Sequence, residues 1–62
     1  MMRAIEQLAV STWATADITG SWSQAGWQFL GMYRLCLWMG DEDAADLADF
    51  FASLATYRGS VQ

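Results

Sequence analysis

The stretch from Trp22 to Met39 is apolar on nearly every side if it is wound into a helix. Phe29, Tyr33, Cys36 and Leu37 can face a core, but Trp27 and Trp38 then lie on the opposite side with Arg34 beside them. A helix that is hydrophobic all round needs covering on all sides. A chain of 62 residues buries only about 60% of the surface its unfolded form exposes, so it cannot hide such an element unaided. Large aromatics left outside imply a partner.

The other ways of stabilising a small fold are nearly closed to it. There is one cysteine, Cys36, and no histidine, so neither an internal disulfide nor a structural zinc site is expected. Association remains, and a hydrophobic content of 55% points the same way. The net charge is −4, from seven acids against three arginines. Nucleic-acid binding draws on phosphate neutralisation that this chain cannot supply, so no direct nucleic-acid contact is expected. The acidic balance suits a basic protein surface. Glu6 and Gln7 interrupt the apolar run that a signal peptide needs, and an unpaired cysteine fits a reducing compartment. The expected location is the cytoplasm. A membrane span over Trp22 to Gly40 is not expected, because Ser23, Gln24, Gln28 and Arg34 fall inside it. The arginine alone costs about 2.5–3.5 kcal/mol at a bilayer centre.

Helical spacing appears three times, and strand-type alternation is absent. The first helix is predicted over 3–16, with Ile5, Leu8, Ala9, Thr12 and Ala16 on one face, Trp13 flanking it, and Arg3, Gln7 and Ser11 opposite. Gly20 is placed to end it in a left-handed conformation. The second is predicted over 22–39. Ser21 and Gln24 form a potential capping box, and Trp22, Ala25, Phe29, Tyr33, Cys36 and Leu37 face the core. Gly26 and Gly31 each cost a helix about 1 kcal/mol relative to alanine, which a closely approaching neighbour would offset; Gly40 supplies the stop. The third is predicted over 42–58, with Asp41 as N-cap and Glu42 and Asp43 in a first turn whose dipole favours acids. Its apolar face reads Ala44, Leu47, Ala48, Phe50, Phe51, Leu54 and Ala55, and Glu42, Asp46, Asp49 and Ser53 lie opposite. Arg58 and Gly59 form a C-terminal signature, with Ser60 to Gln62 expected to fray. The short connections make this one all-α domain over 1–62: a small three-helix bundle, or a helical hairpin plus a third helix, that self-associates.

Little chemistry is available to such a chain. An EF-hand beginning at Asp41 would need a glycine at its sixth position and a glutamate at its twelfth, where Asp46 and Ala52 stand. Cys36 lies on the apolar face with no histidine to activate it. There is no Gly-rich phosphate loop and too little chain for a water-excluding site. No metal, no cofactor and no enzymatic activity are expected.

Two rows of residues remain as candidate binding sites. Trp27, Gly31, Arg34 and Trp38 recur at i, i+4, i+7 and i+11, so they line one side of a helix. Trp and Arg are the residues most enriched at interface hot spots, an arginine over an indole adds a cation–π contribution, and Gly31 leaves a notch between them. This row is read as a partner or dimer interface. Glu42, Asp46 and Asp49 form a second, acidic row, either a solvated helix surface or a patch that docks on a basic protein groove in imitation of nucleic-acid phosphates. The expected function is non-enzymatic protein binding by an inhibitor or regulator. In size, charge and lack of chemistry the chain is similar to phage-encoded inhibitors of host defence or nucleic-acid machines, anti-CRISPR proteins among them, although no family motif carries that comparison. The alternative is a small accessory subunit that stabilises a larger enzyme or membrane complex through its aromatic helix.

Overall fold

The structure, a computed structural model, describes residues 4–61. Three helices, α1 (Ala4–Thr19), α2 (Trp22–Trp38) and α3 (Glu42–Val61), run up, down and up. The start of the first helix predicted at Arg3 lies outside the described residues, as does Gln62. No helix is long and apolar enough to cross a membrane among the described residues.

The two turns follow from their glycines. Gly20 has φ +75° and Gly40 φ +78°, a region that costs side-chain-bearing residues roughly 1–2 kcal/mol. The Gly20 N–H donates to the Ala16 carbonyl at 2.7 Å, closing α1 three residues later than its apolar spacing suggested. At the end of α2, the Gly40 N–H reaches the Leu37 carbonyl at 3.1 Å and the Asp41 N–H the Cys36 carbonyl at 2.9 Å. That pair of bonds is a Schellman closure. Asp41 then caps α3, its Oδ1 accepting the Ala44 N–H at 3.2 Å. The capping box expected at Ser21 does not form. With ψ 54° the residue is turned away from the capping conformation, and its hydroxyl lies instead 2.9 Å from that of Thr19.

The core differs from the one the apolar spacing predicts, most of all on α3. Ala44, Ala45, Ala48, Ala52 and Ala55 are buried, whereas Leu47 is 39% and Phe50 58% exposed. Ala45, Ala48, Ala52, Ala55 and Gly59 recur at alternating intervals of three and four, the spacing of two helices packed lengthwise. Their small side chains let α2 come close, and α2 supplies the bulk with Trp22, Phe29 and Met32. Larger residues at the seam would hold the helices apart, so Leu47 and Phe50 are displaced outward and Phe51 and Leu54 are half-buried at its flanks. On α2, Met32 is buried and Leu37 half-exposed; on α1, Leu8 is likewise half-exposed.

Close approach also explains why α3 continues through Gly59 to Val61. A Cβ on Gly59 would lie 3.4 Å from the Trp22 Cβ, and one on Gly26 would lie 3.3 Å from the Thr56 Oγ1. Gly59 is therefore a packing residue and not a helix stop. Ser60 is helical too, its hydroxyl donating to the Tyr57 carbonyl at 2.9 Å.

Aromatic rings fasten α1 to this pair. The Trp13 centroid is 4.8 Å from that of Trp22 and 5.7 Å from that of Phe51, and Phe51 stacks on Phe29 at 5.4 Å. These separations fall in the favourable range for ring pairs. The resulting body is flat, 34 × 22 × 12 Å, and α2 has one long side with nothing over it.

Candidate binding face

Turning Trp22, Phe29, Met32 and Cys36 inward forces the opposite side of α2 outward, since residues three and four apart share a face. Trp27 is 73% and Trp38 86% exposed, and Gly31 and Arg34 between them are exposed as well. The aromatic row predicted from spacing is thus a continuous surface feature. Gly31 differs from the other mid-helix glycines: a Cβ built there would meet nothing within 4 Å. Its helix cost of about 1 kcal/mol therefore has no return inside the chain.

Asp49 of the acidic row lies on the same side of the molecule as Trp27. Glu42, Asp46 and Asp49 are all exposed. Two grooves run between α2 and α3. One is lined by Ser23, Gly26, Trp27, Leu30, Thr56, Gly59 and Ser60. The other is lined by Leu30, Asp49, Ala52, Ser53, Thr56 and Tyr57. Leu30 and Thr56 belong to both, and no α1 residue lines either. On the side that α1 leaves open, Leu30 accordingly lies between Trp27 and Asp49.

Arginine and indole do meet, but elsewhere. The Arg58 guanidinium sits 4.8 Å from the Trp22 centroid and 5.7 Å from that of Trp13. Arg34 makes no ion pair or ring contact among the described residues, so its charge is presented to whatever covers α2.

A second apolar stripe was misassigned by sequence. Leu47 and Phe50, expected in the core, continue past the half-buried Leu54 to the exposed Tyr57 and Val61 as an outward row on α3. The 3-4-3-4 spacing of these large residues was the available signal, and the alanine seam beside it has the same period. Cys36 is free and buried against Ala44 and Ala45, with Ile5 and Tyr33 beside them. No cluster of three or more His, Cys, Asp or Glu is placed to hold a metal ion among the described residues. No family model, curated protein or solved structure matches the chain, so the candidate site rests on its own geometry.

Proposed function

We propose that the protein is a small non-enzymatic binding module, an inhibitor or regulator that docks on a basic surface of a larger protein or nucleoprotein machine without touching nucleic acid itself. In that respect it is similar in kind to phage-encoded inhibitors such as anti-CRISPR proteins. The observation that carries the reading is the shared open face, where Leu30 joins the groove holding Trp27 to the groove holding Asp49. The acids steer association with a basic target and fix its orientation, and the exposed indoles anchor that target or a second copy of the chain. A buried free Cys36 suits work in the cytoplasm.

Capture of a target from the native host tests this, using the parent chain, an Asp46→Asn/Asp49→Asn variant and Trp38→Ala, with helicity checked in each. The expected result is weaker capture by both variants, and loss of capture with rising salt, because charge interactions are screened over roughly 8 Å at physiological ionic strength. Capture that neither variant nor salt alters would retire the reading. The second reading, an accessory subunit held through its aromatic helix, is favoured by the exposure of Trp38. It predicts capture sensitive to Trp38→Ala and indifferent to salt.

A further inference from the structure

The spacing of the row on α2 is the same from either end. Trp27, Gly31, Arg34 and Trp38 are separated by four, three and four residues. A two-fold axis crossing α2 at the level between Met32 and Tyr33 exchanges Trp27 with Trp38 and Gly31 with Arg34. Such exchange is the condition for an isologous contact, in which residue i meets j and j meets i. We propose that a second copy of this chain covers the face, with α2 packed antiparallel on α2 about that axis. The proposal rests on the reading of this row as a docking surface.

The chain's own packing supports this occupant. Gly31 is open, with nothing within 4 Å of a Cβ built on it; in the antiparallel arrangement the second copy's Arg34 lies over that notch, and a bare backbone there lets two helices approach. Charge selects the same pair of surfaces. Each chain carries −4, so two copies meet with least repulsion helix to helix where that helix bears no acid. The α2 sequence contains no acidic residue. The outer stripe of α3 has helix-pairing spacing too, but its helix also carries Glu42, Asp43, Asp46 and Asp49. The antiparallel register sets the second copy's Arg34 opposite Gly31, one residue along α2 from Leu30, whose groove Asp49 lines. Glu42 and Asp46 of both copies stay at the rim, free to meet a basic target.

Cysteine cross-linking in a Cys36→Ala background tests the register. Trp27→Cys and Trp38→Cys chains are oxidised separately and as a mixture, and the unmodified chain is sedimented across concentration. The expected result is a mass of two chains, with a covalent dimer in the mixture and not from either variant alone. Like residues in the antiparallel pair are separated by about 16 Å along the helix axis, beyond disulfide reach. Gly31→Leu is expected to return the protein to one-chain mass with its helicity intact. Cross-linking of each variant with itself would mean parallel pairing and overturn the proposal. So would a dimer broken by Phe50→Glu and not by Trp38→Glu, which would place the contact on α3. A lone chain at every concentration, with no cross-link, would also overturn it. In that case, host-protein capture that still depends on Trp38 would keep the α2 face as a docking surface for a different protein, and capture indifferent to Trp38 would end both.

Discussion

Arg58 closes over Trp22, its guanidinium 4.8 Å from the indole centroid, and reaches Trp13 at 5.7 Å, so one α3 side chain covers the point where all three helices meet. Read from sequence, Arg58 is a cation suited to the last turn of a helix. In the structure α3 runs three residues further, because Gly59 lets its backbone pass beside Trp22. The arginine's charge is then directed to the two indole rings.

Arg58→Ala should therefore lower stability by about 0.5–1 kcal/mol, the range of a cation–π contact at an exposed site. Arg58→Lys should recover part of the loss. Urea unfolding followed by far-ultraviolet circular dichroism measures both; an unchanged midpoint for Arg58→Ala would show that the lid adds nothing.

The alanine seam gives a sharper contrast. Ala48→Leu or Ala52→Leu, at buried positions facing α2, should cost about 1–3 kcal/mol by overpacking. Leu47→Ala, although it removes a larger side chain, should cost less than about 1 kcal/mol, because little of that surface is withdrawn from water. The reverse order in denaturation midpoints would restore Leu47 to the core.

Two glycines on α2 should respond differently to the same change. Gly31→Ala meets open space and should stabilise the dilute, single chain by up to about 1 kcal/mol through helix propensity. At Gly26 the new methyl would press on the Thr56 Oγ1 at 3.3 Å. That hydroxyl is held by its bond to the Ala52 carbonyl at 2.9 Å. Gly26→Ala should gain less than Gly31→Ala or lose stability, and thermal unfolding at low protein concentration compares them.

The helix starts separate in the same way. Asp41→Ala removes a cap bond to Ala44 and should cost about 0.5–2 kcal/mol. Ser21→Ala removes a hydroxyl that makes no cap bond and should cost less. Equal losses in paired denaturation curves would mean that Ser21 caps α2 after all.

The sequence alone determined the number of helices, the two glycine turns, the Asp41 cap and the exposure of Trp27 and Trp38, because each depends on local backbone preference or on spacing along one helix. Periodicity identifies which residues share a side, but it cannot say which of two sides goes inward when both are apolar. On α3 the expected face held Leu47 and Phe50 together with Ala44, Ala48 and Ala55; those alanines are buried as expected, but Ala45 and Ala52 joined them in place of the two large residues. That choice was made by the tertiary structure: Trp22, Phe29 and Met32 already fill the space between the helices, and only small side chains opposite them allow the backbones to close. The same packing decided the roles of Arg58 and Gly59, and it set Trp27 and Asp49, separate in sequence, on either side of Leu30.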